Sequence, residues 1–274
     1  MPELPVQISE SQLSLLEGTT GTVVGSRVFH FEAVGSTMDE ASRMAAAGAP
    51  EGTVVVADSQ TAGRGRRNRE WTSSPGQDLL LSVVLRPRPA IVPELLMLAA
   101  LAAANTTKAV AGVTPSIKWP NDVRVNGRKV CGVLADTVQQ GDGGLVTVIG
   151  VGLNVNMDYT AAAALPQPAS SLRTLAGREI PRADTLRVLL GHMDAMYMSL
   201  LRGETLLPEW RSMLETLGSH VEVTVGDPSS PDRVIRGLAE DVDDMGRLLV
   251  RDQDSRVWPV SAGEVTLQSP AQYP

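Results

Sequence analysis

Apolar and polar residues alternate along the chain in two different ways, and the change falls near residue 218. Before it, helical spacing predicts helices over residues 37–47, 93–111 and 186–201, with a shorter helix after Pro208. Between these helices, apolar and β-branched runs predict strands over residues 53–57, 79–85, 117–125, 129–136 and 145–151. After it, short alternating runs over 221–225, 234–238, 248–250 and 257–260 predict a small β-barrel. The pattern predicts an α/β domain followed by an all-β domain.

The first predicted helix carries start and stop signals. Thr37 followed by Glu40 predicts a capping box, and Gly48 can end the helix at its C-terminal side. Ser36 and Thr37 are therefore expected at a helix N-terminus. The segment between the strands at 53–57 and 79–85 is rich in Gly and Arg. Its apolar residues fit neither the helical nor the strand spacing, so we expect it to be a loop.

These boundaries predict a lead-in over residues 1–30, a main domain over 31–217 and a C-terminal domain over 218–268. The lead-in is too short for the three helices of a helix-turn-helix domain. We therefore expect no N-terminal DNA-binding domain and no sequence-specific DNA binding.

Composition narrows the class of partner. The chain has 274 residues, of which 43% are hydrophobic, and a formal net charge of -7, which argues against binding to a phosphate backbone. The N-terminal residues lack the features of a secretory signal, and the longest apolar stretch, residues 95–104, is too short to span a bilayer. We therefore expect a cytoplasmic protein with no membrane partner. Its one cysteine and three scattered histidines predict neither a disulfide nor a metal cluster.

The most informative segment is the loop from Gln60 to Trp71, with four arginines among the six residues 64–69 of an acidic protein. Arginines in a glycine-bearing loop can close over carboxylate and phosphate oxygens, so the loop is expected to order when an anion binds. Trp71 offers a flat apolar face to a purine or an arginine stem. An RNA-binding segment and a solvated surface loop are the alternatives.

A second motif, Lys-Trp-Pro-Asn-Asp, covers residues 118–122. Asn121 and Asp122 can hold Mg²⁺, directly or through water, against the phosphates of ATP, while Lys118 offsets their charge. The alternative is an ordinary turn, because Pro-Asn-Asp is also turn chemistry.

Lys129 precedes a small strand with Gly132, against which a ligand could lie closely, and its ammonium could reach a carboxylate. A surface lysine beside a strand is the alternative. Cys131 is interpreted as a buried filler without a catalytic role, because no neighbour that would lower its pKa is evident.

A glycine-bearing stretch at residues 150–156 ends a strand with two amides, Asn154 and Asn156, that could hydrogen-bond an adenine or ribose. It lacks the third glycine of a dinucleotide fingerprint, and the chain has no Walker lysine motif. Dehydrogenase and P-loop kinase functions are therefore not expected.

In this order, the motifs at 35–37, 60–71, 118–122, 129–134 and 150–154 closely resemble those of the biotin protein ligase family, over roughly residues 31–267. The resemblance implies a mixed-sheet α/β catalytic domain of the biotin/lipoate ligase type and a C-terminal domain similar to an SH3 barrel. It also implies ATP and Mg²⁺ as cofactors, biotin as substrate, and as partner the biotin carboxyl carrier domain of a biotin-dependent carboxylase. The expected reaction forms biotinyl-5′-AMP and transfers biotin to a lysine of that domain.

The same resemblance implies roles for individual residues. Contacts to biotin are expected from Ser36, Thr37, Gln60, Gly63, Arg64, Arg66, Lys129 and Gly132. Contacts to the nucleotide are expected from Arg69, Trp71, Lys118, Asn121 and Asn154, with Asn121 also serving Mg²⁺. The expected catalytic residues are Arg66, Arg69, Lys129 and Asp122, the last as a base or as a residue that positions the acceptor amine.

The sequence departs from the usual family pattern at Met38, where Asn is frequent, at Cys131, where Ala is common, and at Asp136, where Glu is usual. None of these departures removes an expected contact. A lipoate or octanoate ligase remains an alternative, but polar Ser36, Thr37 and Gln60 favour an acid with a polar ring. A non-catalytic RNA-binding protein remains the alternative from another class.

Overall fold

A computed structural model describes residues 21–66, 69–141, 144–159, 167–227 and 230–267. Its first sheet has seven strands in the order β1-β2-β3-β7-β6-β5-β4. These are β1 (Arg27–Val34), β2 (Thr53–Gln60), β3 (Leu79–Leu85), β4 (Ser116–Lys118), β5 (Asp122–Val125), β6 (Arg128–Gln140) and β7 (Gly144–Leu153). Strands β1 and β2 are parallel and the other pairs antiparallel, so the expected mixed sheet is confirmed.

Helices cover both faces of this sheet. They are α1 (Thr37–Ala46), α2 (Leu95–Ala111), α3 (Leu172–Ala176), α4 (Arg182–Leu201) and α5 (Leu207–Ser212), with a 3₁₀ helix at Pro89–Glu94 before α2. Alternate residues of a strand point to opposite faces. Thus Val55 packs with the residues of α1, whereas Val54 and Val56 belong to the larger core that contains α2 and α4.

The apolar segment Pro89–Ala111 has 23 helical residues and is long and apolar enough to cross a membrane. This segment is longer than the apolar stretch at residues 95–104 considered in the sequence, because the 3₁₀ helix precedes α2 and α2 continues to Ala111. In the structure 67% of its most apolar window is buried inside the protein, as in the core helix of a folded domain.

Two local predictions were wrong. The N-cap of α1 is Ser36, whose Oγ accepts from the Met38 amide at 3.3 Å, because the Thr37 hydroxyl bonds Gln60 instead. The strand predicted over 117–125 is two strands, since a turn with a cis Trp119–Pro120 bond reverses the chain between them. That turn places Asn121 and Asp122 beside β6.

The second sheet is antiparallel, in the order β11-β10-β9-β8-β12. Its strands are β8 (His220–Asp227), β9 (Ser230–Val242), β10 (Leu248–Arg251), β11 (Val257–Val260) and β12 (Glu264–Leu267). An antiparallel sheet of five strands agrees with the expected small β domain, although β9 is longer than predicted and β12 was missed. The turn between β9 and β10 docks on the first domain, where the indole Nε1 of Trp119 donates to the Gly246 carbonyl at 2.9 Å.

Candidate active site

One cavity of about 180 Å³ gathers most of the predicted site residues. It lies between the start of α1, the arginine segment and strands β6 and β7. The predicted residues that line it are Ser36, Thr37, Gln60, Arg64, Arg66, Arg69, Trp71, Asn121, Asp122, Lys129, Gly132 and Asn154. Gly63 and Lys118 are the two predicted residues outside its lining. The motifs singled out in the sequence therefore meet in one place.

At one end of the cavity, three polar side chains are arranged in a chain of hydrogen bonds. The Oε1 atom of Gln60 accepts from the Thr37 amide at 2.8 Å and from the Thr37 hydroxyl at 3.1 Å. The Thr37 hydroxyl in turn accepts from Ser82, which is buried on β3, at 2.9 Å. Because Oε1 is used in this way, the amide nitrogen of Gln60 is the group left to donate to a ligand.

The same end is narrowed by Met38, which departs from the usual family pattern. A Cβ atom built on Gly150 would lie 2.8 Å from the Met38 Sδ, so the methionine rests directly on the backbone of β7. Met38 was not predicted as a site residue, yet it lines the cavity and is 4% exposed.

The arginine segment folds back on itself as a short hairpin. The Gly65 amide donates to the Arg69 carbonyl at 2.7 Å, and the Trp71 amide donates to the Gly63 carbonyl at 2.9 Å. A Cβ on Gly63 would lie 2.5 Å from the Trp71 carbonyl oxygen, which explains why glycine is needed there. Gly63 therefore shapes the segment from outside the cavity.

Each described arginine of the segment already has an internal partner. Arg66 donates to Asn121 Oδ1 at 3.0 Å and to the Gly263 carbonyl at 3.1 Å. Arg69 pairs with Glu264 at 2.5 Å, and Arg64 pairs with Asp39 at 2.5 Å. Gly263 and Glu264 belong to the C-terminal domain, so this domain holds the arginine segment over the cavity. Because Gly263 and Glu264 are far from the arginine segment along the chain, no local sequence pattern predicts this contact.

Lys129 and Asp122 form an ion pair in the cavity wall, with 2.5 Å between Nζ and Oδ1 and side chains 16% and 17% exposed. Lys118 faces Asp122 across the β4–β5 pair. Its pKa is lowered by burial, which disfavours the ammonium form, although the nearby Asp122 acts in the opposite direction. Lys118 therefore lies outside the cavity and acts on it through its charge next to Asp122.

Trp71 lies flat on a platform of two glycines. Gly132 and Gly152 are register partners in β6 and β7, and Cβ atoms there would come within 2.9 Å and 2.5 Å of the indole. The Lys129 ammonium lies 5.4 Å from the indole ring centre, within cation–π range. The indole Nε1 is buried and has no hydrogen-bond partner among the described residues, which leaves it available to a ligand oxygen.

The fit of the site to a metal rests on Asn121 and Asp122. The Asn121 amide nitrogen donates to the Val133 carbonyl, and its Oδ1 accepts from Arg66, so this oxygen would exchange the Arg66 guanidinium for a metal ion. Within the described residues no three His, Cys, Asp or Glu side chains cluster as a metal site. Two oxygen ligands in a cavity wall fit Mg²⁺ that is carried mainly by nucleotide phosphates.

At the other end of the cavity, the predicted amides are held by the protein itself. Asn154 Nδ2 donates to the Ser170 carbonyl at 2.9 Å, and its Oδ1 accepts from the Tyr159 hydroxyl at 2.9 Å. Asn156 bonds the backbone of Ile180 in both directions, at 2.8 and 2.9 Å, and is 6% exposed. The expectation that Asn156 could reach a ligand was wrong, because its amide is used inside the protein. Tyr159 lines the cavity and was missed.

Cys131 is fully buried next to Gly132, and burial in apolar surroundings raises the pKa of its thiol well above the usual range. A neutral thiol is a poor nucleophile, which agrees with the filler role expected from the sequence.

Family models match both parts of the chain. The Biotin/lipoate A/B protein ligase family matches residues 31–156, and the Biotin protein ligase C terminal domain matches residues 216–267. The fold resembles the biotin protein ligase from Aquifex aeolicus in complex with biotin and ATP, with a TM-score of 0.72, 24% identity, and 88% and 98% of the two chains covered. The fold and cavity thus define the biotin and lipoate ligase class.

Two relatives narrow this class. The bifunctional ligase/repressor BirA of Bacillus spizizenii is 34% identical over 257 residues, which are 91% of this chain and 76% of the relative. The biotin--[acetyl-CoA-carboxylase] ligase of Mycobacterium tuberculosis is 35% identical over 239 residues, 84% and 85% of the two chains. The chain belongs to the biotin protein ligase family and is a ligase.

Proposed function

We propose that this protein activates biotin with ATP to biotinyl-5′-AMP and transfers the biotinyl group to a lysine of a biotin carboxyl carrier domain. The observation that carries this proposal is the convergence of Arg66, Arg69 and Lys129, from two separate segments, on the cavity that Thr37 and Gln60 close at one end. Cations at the centre and polar groups at one end suit an acid with a polar ring.

The ring of biotin is assigned to the end at the start of α1. The free amide nitrogen of Gln60 donates to the ureido oxygen, with Ser36 and Thr37 beside it and backbone contacts from Arg64 and Gly132. Gly63 lies outside the cavity and contributes by shaping the arginine segment. Lipoate has no ureido group, so its binding would leave these buried polar groups unpaired, and the site should discriminate strongly against it. The match to a biotin protein ligase C-terminal domain also supports biotin over lipoate.

The first step needs charge compensation and no general base. A carboxylic acid with a pKa of about 4 to 5 is already ionised at neutral pH. Its carboxylate must approach the α-phosphate of a polyanion, and Arg66, Arg69 and Lys129 lower the barrier by cancelling charge and aligning the two reactants. The carboxylate oxygen then bonds to the α-phosphorus and pyrophosphate leaves.

The nucleotide is assigned to the region around Trp71, with Asn121, Asn154 and Arg69 contributing. Lys118 lies outside the cavity lining and contributes through its charge beside Asp122. Asn154 Oδ1 keeps one lone pair free for an exocyclic amine, since its other partner is the Tyr159 hydroxyl. Asn121 and Asp122 would hold Mg²⁺, which supplies further neutralisation of the phosphates.

In the second step the acceptor lysine must be neutral to attack the anhydride, but with a reference pKa of about 10.4 only about one molecule in 10³ is neutral at pH 7. We assign Asp122 as the residue that positions this amine or accepts its proton. The closed arginine segment keeps water away from the adenylate, which would otherwise hydrolyse.

The test is biotin-dependent exchange of labelled pyrophosphate into ATP, followed by biotinylation of a purified carrier domain. We expect exchange with biotin and at least about a hundredfold less with lipoate or octanoate. Equal exchange with lipoate would redirect the substrate assignment, and strongly salt-dependent RNA binding without ATP consumption would favour the RNA-binding alternative.

The remaining assignments follow from this function. We place the catalytic domain at residues 31–217 and the SH3-like domain at 218–268, after a lead-in at 1–30. We place the protein in the cytoplasm, where a carboxylase that carries the acceptor domain is made.

A further inference from the structure

Two arginines and a tryptophan form a cluster on the surface of the C-terminal domain, outside the cavity. The guanidinium carbons of Arg256 and Arg233 lie 3.7 Å and 4.3 Å from the centre of a ring of the Trp258 indole. Two guanidinium groups so close to one ring would overlap if they shared a face, so they cover its two faces. Both arginines are exposed and Trp258 is half-buried, so this Trp258 cluster is open to solvent.

The position of the indole is fixed by the turn between β10 and β11. Its Nε1 atom donates to Asp252 Oδ2 at 2.7 Å. The other oxygen of this carboxylate accepts from the amides of Asp254 and Arg256, at 3.0 Å and 2.9 Å. A ring that is held in this way also holds the guanidinium groups stacked on it, so they lose little freedom when they bind a partner.

The two arginines of the cluster differ from the other arginines of the described C-terminal domain. The others are paired with a carboxylate: Arg236 with Glu222, Arg247 with Asp243, and Arg251 with Glu240. Within the described residues Arg233 and Arg256 form no such ion pair, and the oxygens of the neighbouring Asp252 are taken by three N–H donors. The cluster therefore keeps a local positive charge in a chain whose formal net charge is -7.

The geometry of the cluster selects the chemistry of its partner. Because a guanidinium covers each face of the indole, no face is open for a nucleobase to stack on. The outward N–H groups of the two arginines match the oxygens of carboxylates. The negative net charge of the chain disfavours a long polyanion such as RNA. Carboxylate side chains on the surface of another protein fit best.

The cluster lies close to the cavity along the chain. Trp258 precedes Gly263 by five residues, and the Gly263 carbonyl accepts from Arg66 of the cavity wall at 3.1 Å. Five residues span at most about 18 Å. A folded domain of about 100 residues has a radius of gyration of about 13 Å and spans about 30 Å. A carrier domain whose lysine enters the cavity is therefore large enough to reach the Trp258 cluster.

We propose that the Trp258 cluster is a docking surface for the carrier domain, where Arg233 and Arg256 pair with carboxylates on the face that carries the acceptor lysine. This proposal rests on the proposed function and names a contact with its protein partner that lies outside the cavity. A local positive surface beside the cavity attracts an acidic partner and orients it before the lysine enters.

The experiment compares biotin transfer to a purified carrier domain with biotin-dependent pyrophosphate exchange, which needs no carrier domain. In the double variant Arg233→Gln/Arg256→Gln we expect the KM for the carrier domain to rise about five- to tenfold. Exchange and the KM values for biotin and ATP should stay within about twofold, because the cluster does not line the cavity. Added salt should raise the KM for the carrier domain more in the wild type than in this variant.

The matched control is the double variant Arg236→Gln/Arg247→Gln. It removes the same charge from the same domain, and its side chains are 59% and 44% exposed, but both are paired with carboxylates. We expect its KM for the carrier domain to stay within about twofold of wild type. Arg233→Lys/Arg256→Lys keeps the charge and should recover only part of the loss, because an ammonium lacks the flat fork of a guanidinium.

The proposal is overturned if Arg233→Gln/Arg256→Gln keeps the KM for the carrier domain within about twofold of wild type, or if the control variant raises this KM as much. It is also overturned if the variant loses binding to single-stranded RNA, or a self-association, that the wild type shows without any change in this KM. Absence of biotin-dependent exchange in the wild-type protein would instead defeat the proposed function.

Discussion

The Lys129 ammonium lies 2.5 Å from the Asp122 carboxylate inside the cavity, where both side chains are less than one fifth exposed. A ligand carboxylate or phosphate must therefore share or replace Asp122 as the counterion of Lys129. Little solvent screens this ion pair, so the removal of either charge should change the activity strongly.

Lys129→Met is expected to lower the rate of biotin-dependent pyrophosphate exchange by about a hundredfold or more, because it removes a preorganised cation and leaves Asp122 unpaired. Lys108→Met is the control, since Lys108 is exposed in α2. A variant rate within about threefold of wild type would remove Lys129 from the reaction.

Asp122→Asn should separate the two steps. Adenylation should fall less than about fivefold, since the asparagine keeps one oxygen for Mg²⁺ and the cationic side chains remain. Transfer to the carrier domain should slow by about 10²-fold if Asp122 serves the acceptor amine. Single-turnover transfer from preformed adenylate measures the second step alone. A loss confined to adenylation, with transfer from preformed adenylate unchanged, would contradict the assignment of Asp122 to the acceptor amine.

Helices and strands were predictable wherever the apolar residues kept one helical or strand spacing throughout the element. The strand at 79–85 follows from its apolar and β-branched pattern. The position of the helix start at Ser36 and Thr37 was also predicted, although the cap is Ser36 and not Thr37. The break at Trp119–Pro120 could not be read in this way, because Ile117, Val123 and Val125 keep the apolar character of one strand. Strand β12 was missed although β10 and β11, which also have four residues, were predicted.

The sequence motifs identified which side chains form the site, whereas the hydrogen bonds and ion pairs of these side chains are visible only in the structure. The cavity brings Arg66, Lys129 and Gln60 together as predicted. The partners of these residues could not be predicted. Gly263 reaches Arg66 only because the two domains dock, and Asp122 reaches Lys129 only through strand register. Tyr159 was missed because it belongs to no motif.

Gly152→Ala should disable the site without unfolding the protein. The added Cβ would lie 2.5 Å from the Trp71 indole, which must then leave its platform. Activity should fall by about 10- to 100-fold, consistent with a cost of about 1 to 3 kcal/mol for overpacking. Trp71 fluorescence should change in parallel.

Gly191→Ala in α4 is the matched control. A Cβ there meets no atom within 4 Å, so the substitution should raise the stability slightly and keep full activity. Full activity of Gly152→Ala would contradict the claim that the site requires the Trp71 indole to pack directly on Gly152.

Asp194 anchors the start of the described chain to α4. Its carboxylate accepts from three successive amides, those of Thr22, Val23 and Val24, at 2.7 to 2.8 Å. Asp194→Ala should lower the free energy of unfolding by about 2 to 4 kcal/mol, since one buried and two part-buried hydrogen bonds lose their charged acceptor. Urea unfolding measures this.

The control for Asp194→Ala is Asp184→Ala in the same helix, where the side chain is 66% exposed. Its effect should stay within about 1 kcal/mol. Similar losses in the two variants would contradict an anchoring role for Asp194.

Cys131 should resist iodoacetamide at pH 8 until the protein unfolds, because burial raises the pKa of its thiol. The unfolded thiol ionises near pH 8.5, so the native contribution of Cys131 is fully present below that pH and is lost as the pH rises above it. The stability difference between wild type and Cys131→Ala should therefore shrink between about pH 8.5 and 10. Rapid labelling of the native protein, with loss of activity, would contradict the filler role.

The most direct measurement is a crystal structure with biotin and a non-hydrolysable ATP analogue. We expect the biotin carboxylate within about 3 Å of Lys129 Nζ and facing the α-phosphate, with Arg66 contacting the same anions. Biotin or nucleotide bound away from the cavity between Gln60 and Asn154, or both bound with Lys129 still paired only to Asp122, would contradict the account.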